Sequence, residues 1–349
     1  MHPAKQIYIA KEHEYGHECE LLGRGSEAAE SEARWKECKK NPGHEDFISI
    51  PDFTGRCFPK LQAQKHRDRL GAAIDLTTRL RVKWTSPLRP DEDPFSDVRG
   101  SDKLRLGSGF IVDVGNAVLK KPNPFGGCVG KKAKKSWRIT VQTAHHVVFD
   151  TAEAKKTKVD LFYDYDSCRS DGTMRTLAGL EVLECDADKD VCSFLCVIHD
   201  EALGKRIESS WRCWWAGLHD PLDLSGLDLL CCVWGGYPIM IVSHPHGKPK
   251  RITVDEGREE KPPLVEYNAA TCPGSSGAPV FRFVSNVDDL RRHQRYIPVH
   301  IGNCSTSGID HQQQNFLISI RRPQKLMGRR KTKLDQLNYG NKWWCYVNT

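Results

Sequence analysis

The run Trp137-Arg138-Ile139-Thr140-Val141-Gln142-Thr143-Ala144-His145-His146-Val147-Val148 is rich in β-branched and aromatic residues and carries two adjacent histidines near its end. That composition favours a pleated, half-buried surface, so the stretch predicts a strand with an imidazole at its rim. Comparable short runs lie around it at 76–84, 107–114, 158–165, 177–183 and 191–198. Connectors rich in Pro, Gly and Lys, such as 120–135, separate them, which suits hairpins and meanders and does not suit alternating β/α units. Beyond a connector carrying Trp211, Trp214 and Trp215, further strands are expected at 229–234, 239–243, 251–254, 264–268, 279–283, 296–301 and 316–320. An all-β chain of two antiparallel barrels accommodates this count.

The chain has 349 residues, of which 39% are hydrophobic and 28% charged, enough to bury a core and too apolar for disorder throughout. Gly235, Gly236 and Pro238 interrupt the longest apolar run, 229–242, so no membrane span is expected. The acidic, histidine-rich continuation of the N-terminus stands where a secretory signal needs an apolar stretch, which points to the cytoplasm or nucleus. In that setting the fourteen cysteines read as reduced, mostly buried thiols. The net charge of +7 is concentrated at 131–135 and 321–333. Residues 1–72 read as a partly helical N-terminal extension with a helix around 27–40, residues 73–320 as the main double-barrel domain, and 321–349 as a basic and aromatic tail ending on Trp343, Trp344 and Tyr346.

The segment Thr271-Cys272-Pro273-Gly274-Ser275-Ser276-Gly277-Ala278-Pro279-Val280 carries the chemistry. Its glycines let the backbone turn beside a serine so that the Ser276 hydroxyl projects while successive N–H groups converge. Upstream stand the rim histidine and Asp190, which opens the run at 191–198. A serine hydroxyl becomes a nucleophile when a neutral imidazole accepts its proton, and a sheltered carboxylate fixes that imidazole. His145 is the alternative to His146, and Asp186 or Asp188 to Asp190.

The order Thr-Ala-x-His, Asp-Val-Cys, Gly-x-Ser-Gly-x-Pro resembles the chymotrypsin/trypsin-like serine proteases, on the side of their intracellular, bacterial glutamyl-endopeptidase-like and viral main-protease-like branches. Gly107-Ser108-Gly109-Phe110-Ile111-Val112 matches the strand that commonly precedes the histidine, and the spacings of 44 and 86 residues between His146, Asp190 and Ser276 suit a triad at a cleft. The resemblance implies two six-stranded barrels and serine endopeptidase activity on peptide or protein substrates. It makes His146 the general base, Asp190 its orienter and Ser276 the nucleophile, with the N–H groups of Gly274 and Ser276 as oxyanion hole. Ser275 replaces the aspartate of the secreted enzymes, and no Ile-Val-Gly-Gly sequence precedes the first strand, so activation through that ion pair is not expected.

The same likeness puts Ala270, Thr271, His300 and Gly302 around the substrate pocket. Ala270 cannot neutralise Lys or Arg, whereas an imidazole and a hydroxyl can donate to a Glu or Gln side chain. Cys272 and Cys304 correspond to a pair that is bridged in secreted relatives, and reduction is expected here. His244-Pro245-His246-Gly247 resembles a tight turn between second-barrel strands. No cofactor and no metal ligands are assigned: His13-Glu14-Tyr15-Gly16-His17 matches HExxH, but Gly16 weakens the helix that motif needs, and His13, His17, Cys19 and Cys38 are irregularly spaced. The competing class is a catalytically inactive module binding peptide or nucleic acid, the latter through the basic run at 321–333.

Overall fold

The computed structural model describes residues 15–23, 25–118, 135–216, 237–261, 264–283, 299–304 and 314–318. The expected strand at 229–234, the run 321–333, the tail aromatics, His13 and all but Lys135 of the 131–135 run lie outside them. Three short strands open the described chain: β1 (Tyr15–His17), β2 (Glu20–Leu21) and β3 (Ile48–Ser49). Interleaved with them are α1 (Glu27–Lys36), α2 (Ile50–Cys57) and α3 (Gln64–Leu76). Only α1 is legible in the sequence. The Ser49 hydroxyl caps α2 by accepting the Asp52 N–H at 3.2 Å, with Pro51 in its first turn.

All six strands expected in the first half form: β4 (Thr77–Val82), β5 (Arg105–Val118), β6 (Lys135–Thr143), β7 (Thr157–Leu161), β8 (Arg175–Asp186) and β9 (Val191–Ile198). They pair antiparallel in the order β5-β4-β7-β8-β9-β6, and β6 returns to β5, so the barrel is closed. Leu80, Val82, Phe110, Ile139, Val141, Val159, Phe194 and Cys196 are buried in its core. The short α4 (Thr151–Lys155) follows the histidine turn.

The expected tryptophan connector is instead the end of α5 (Glu201–Ala216). Asp200 caps it, accepting the Leu203 N–H at 3.0 Å, and Leu203, Ile207 and Trp214 are buried along it. Gly204 lies against Trp137, where a Cβ would overlap the indole. Helices α2 and α3 fall in the extension expected to be partly helical, whereas α4 and α5 correct the all-β expectation for the domain. No described helix is long and apolar enough to cross a membrane.

The second sheet contains β10 (Tyr237–Ser243), β11 (Arg251–Lys261), β12 (Leu264–Tyr267), β13 (Val280–Arg282), β14 (Val299–Cys304) and β15 (Gln314–Ile318). Its order is β1-β14-β15-β12-β11-β10-β13, with β3 also on β11. The start of β13 reaches β14 through one isolated bridge between Pro279 and Val299 and no ladder, so among the described residues the first-half barrel is the one closed by paired strands, where two were expected. Phe110 of the barrel, Phe281 of the second sheet and Trp214 of α5 pack with ring centroids 4.8–6.2 Å apart, joining the two sheets in one core. Cys185 and Cys192 face each other across β8 and β9 and form a disulfide, where the sequence predicts reduced thiols. Their direct cross-strand register is the reason, and it is invisible in their spacing.

Candidate active site

Strand β6 stops at Thr143, short of the expected 148, because Val147 and Val148 turn their N–H groups back onto the Ala144 carbonyl. The turn carries His146 to Asp190. The Asp190 carboxylate accepts the His146 backbone N–H at 2.8 Å through Oδ1, and its Oδ2 lies 2.5 Å from Nδ1 of the ring. The Asp190 carbonyl accepts the His145 N–H at 3.1 Å, so both histidines are fastened there, but it is His146 whose ring meets the carboxylate. Burial pushes the Asp190 carboxyl up, and the facing His146 more than offsets this, leaving it below its usual range. Nε2 of His146 is buried and has no hydrogen-bond partner.

Ser276 sits in the turn expected of its glycines. Gly274 and Gly277 have φ of +98° and +85°, and a Cβ on either would overlap backbone atoms of neighbouring segments. Strand β5 supports this turn: the Ser108 N–H donates to the Ser276 carbonyl and its hydroxyl to the Gly274 carbonyl, both at 2.8 Å. The resembling run 107–112 therefore touches the serine turn directly.

The chain's own N-terminal segment fills this site. Strand β1 adds to the edge of the second sheet, with His17 opposite Gly302, and β2 adds to β5 of the barrel, with Glu20 opposite Leu106. Between them the Glu18 carbonyl accepts N–H bonds from Gly274 at 2.6 Å and Ser276 at 3.1 Å. The Glu18 N–H donates to Ser276 Oγ at 3.0 Å, and the His17 ring lies 4.4 Å from that of His146. Hydroxyl and imidazole thus flank one dipeptide. Loss of water on the side facing the site, then the adjoining His146, lowers the His17 pKa to about 4 although the residue keeps an exposed edge, so its ring is neutral near pH 7.

The Glu18 side chain enters a closed pocket. His300 Nε2 is 2.7 Å from Glu18 Oε2, and the other ring nitrogen is 2.6 Å from the Tyr267 hydroxyl. Burial lowers the His300 pKa and raises that of Tyr267 well above its usual value. The consistent arrangement is therefore Tyr267 O–H donating to Nδ1 and Nε2–H donating to the carboxylate. Lys40 completes the pocket, its ammonium paired with Glu18 Oε1 and donating to the Thr271 hydroxyl at 3.1 Å. Burial pushes the Glu18 carboxyl up, but Lys40 and His300 together outweigh it and hold the pKa at about 2. Of the four pocket residues read from the sequence, His300 touches the carboxylate, Thr271 orients the ammonium, Gly302 faces the inserted strand, and Ala270 is half-buried beside Thr271. Glu18 and Lys40 escape sequence reasoning, since a short strand and a single lysine leave no periodic signal, and His17 draws notice there only as a discounted metal ligand.

No family model matches the chain, and no curated protein matches it. Among solved structures it is similar to the Rv3671c protease from M. tuberculosis in its active form, at 14% identity over 72% of this chain and 78% of that one, with a TM-score of 0.35. It is also similar to the HtrA-type protease AlgW with a tripeptide, at 14% identity over 73% of this chain and 59% of that one, with a TM-score of 0.36.

Proposed function

We propose that the protein is a serine endopeptidase of trypsin-like type that cuts after glutamate, and that the bond between Glu18 and Cys19 of its own chain is one it cleaves. The observation that carries this is the Glu18 carbonyl, which accepts both N–H bonds of the serine turn while its carboxylate is paired by His300 and Lys40. A carbonyl so held is polarised toward attack, and the same two donors stabilise the oxyanion that attack creates. Ser276 Oγ bonds to the Glu18 carbonyl carbon as its proton passes to Nε2 of His146, and Asp190 stabilises the imidazolium. Collapse breaks the C–N bond, and the imidazolium returns the proton to the Cys19 nitrogen. Water, giving a proton to His146, then attacks the Ser276 ester, and as the ester C–O bond breaks the imidazolium returns that proton to Ser276 Oγ, leaving Glu18 with a free carboxylate. An ammonium and an imidazole N–H favour Glu over the neutral Gln, and they oppose Lys and Arg.

Ser276 is fully buried beneath Glu18, so other substrates enter only after residues 15–18 withdraw. The purified full-length chain is expected to yield a fragment beginning at Cys19 by N-terminal sequencing, and Ser276→Ala to remain intact. A fluorophosphonate should label the cut chain and spare Ser276→Ala, and peptides with Glu before the cut should be hydrolysed in trans. Labelling and trans cleavage with an intact Glu18–Cys19 bond would remove self-cleavage and keep the peptidase. Absence of labelling and of trans cleavage, even after residues 1–18 are deleted, would remove both.

A further inference from the structure

Away from the serine, four side chains distant in sequence converge: Cys38 and His44 from the N-terminal arm, His246 from the turn after β10, and Cys272 from the start of the serine turn. One ligand atom from each lies within 4.8 Å of the other three, and His44, His246 and Cys272 are buried. The sulfurs of Cys38 and Cys272 are 3.6 Å apart, and Cys272 Sγ is 3.5 Å from Nε2 of His44. A tetrahedral zinc ion with Zn–S bonds of about 2.3 Å and Zn–N bonds of about 2.0 Å separates its ligand atoms by roughly 3.5–3.8 Å along these edges. The same sulfur separation is far beyond the roughly 2.05 Å of a disulfide, and both cysteines are free.

The atoms around the four ligands are arranged as a metal site requires. Nε2 of His246 is buried with no hydrogen-bond partner, while its Nδ1 is held by the Glu20 carboxylate at 2.7 Å. A carboxylate behind an imidazole fixes the tautomer that offers Nε2 to a metal. Asn41 donates from its side chain to Cys272 Sγ at 3.1 Å and from its backbone to Cys38 Sγ at 3.5 Å, bonds that suit thiolates. The Trp35 ring stacks on His44 with centroids 3.6 Å apart. His44 and His246 both have φ of 53°, a left-handed conformation uncommon for residues with a side chain. Two thiolates and two imidazoles without a carboxylate ligand suit zinc and exclude the hard oxygen-seeking ions.

We propose that Cys38, His44, His246 and Cys272 bind one structural zinc ion, which fastens residues 38–44 to the turn carrying Ser276. Between the first two ligands lies Lys40, whose ammonium reaches Glu18 and Thr271. The ion therefore also holds the Lys40 side of the glutamate pocket, a consequence that rests on the peptidase reading, whereas the metal site does not. The linkage is circular in space: Cys272 begins the turn 272–276, and the His246 N–H donates to the Pro273 carbonyl at 2.5 Å. Irregular spacing along the chain hides the set from any motif.

The test is metal analysis of the full-length Ser276→Ala chain, purified under reducing conditions without chelator or metal-affinity resin, so that it is independent of catalysis. One zinc per chain is expected, falling at least about tenfold in Cys272→Ser and in Cys38→Ser/His44→Ala. Because those variants can misfold, cobalt exchanged into the unmutated site provides a second readout, with intense ligand-field bands of a tetrahedral two-sulfur, two-nitrogen centre expected. A reduced, folded chain that retains no zinc and gives no such bands with added cobalt overturns the site, as does a Cys38–Cys272 disulfide in its place. Zinc removal from the active chain should also lower its selectivity for Glu over Gln about tenfold, the loss of one charge-assisted hydrogen bond. Unchanged selectivity overturns the coupling to Lys40 alone.

Discussion

Glu18 is a carboxylate that burial alone would keep protonated, and the lysine and histidine facing it reverse that preference. Its pKa of about 2, against an ordinary 4.5, makes docking of residues 15–18 pH-dependent. A depressed carboxylate pKa stabilises the docked state fully above 4.5 and loses that contribution as pH falls toward 2. The whole contribution is about 3 kcal/mol, since each tenfold change in proton affinity is worth about 1.4 kcal/mol. In the uncut Ser276→Ala chain, hydrogen exchange of the segment 15–18 should therefore accelerate between about pH 5 and pH 2.5, corrected for intrinsic exchange, before the barrel strands respond. Constant protection across that range would show that the ionised carboxylate does not hold the segment. His146, Asp190, Ser276 and Gly274 were legible in the sequence because turn chemistry and order mark them. Glu18 and Lys40 were not, because their importance arises from where two sheets place them.

At the scale of elements, the turn after β6 depends on a charge network behind it. Arg89 donates to the His146 carbonyl at 3.0 Å and to both carboxylate oxygens of Glu153 at 2.7 Å, and it pairs with Asp93. Arg105 shares Glu153, which also accepts N–H bonds from Ser86 and Phe149. Arg89, Arg105 and Glu153 are essentially inaccessible to water. Removing one charge from such a group strands its partners, at a cost of roughly 3–5 kcal/mol. Glu153→Gln should thus lower the midpoint of denaturant unfolding and loosen the His146 turn, reducing kcat more than it raises KM. A variant with unchanged stability would show that Glu153 is not needed to balance the arginines. The barrel strands were readable because each is long enough to show its composition. Helix α5 was missed because its tryptophans read as a connector, although the Asp200 cap and the spacing of Leu203, Ile207 and Trp214 signal a helix. Strands β1 to β3 are too short to carry a pattern, and their pairing partners lie far along the chain.

For the molecule as a whole, the N-terminal arm is bound into the structure more deeply than its charged composition implies. Strands β1 and β3 join the second sheet and β2 joins the barrel sheet. Phe53, Leu61, Leu70, Ala73, Ile74 and Leu76 share one buried cluster with barrel residues Leu80, Phe110 and Val159. Each large apolar side chain so buried contributes roughly 1.5–3 kcal/mol, and losing Phe53, Leu61 and Leu70 alone removes an amount comparable to the roughly 5–15 kcal/mol that holds a typical domain together. Salt bridges from Glu27 of α1 to Arg79, Arg81 and Arg169 add a second tie, and without Glu27 the buried Arg79 keeps, among the described residues, Asp160 as its ionic partner. A chain beginning at residue 73, the boundary suggested by composition, should therefore lack a cooperative thermal transition and expose apolar surface to a reporter dye. A chain beginning at Cys19 keeps α1 to α3, β2 and β3 and, of the described residues, gives up β1 and Glu18, so it should melt in one transition with an accessible Ser276. Calorimetry and dye binding on the two truncations separate these outcomes, and a cooperative transition in the shorter chain would show that residues 19–72 are dispensable for the fold.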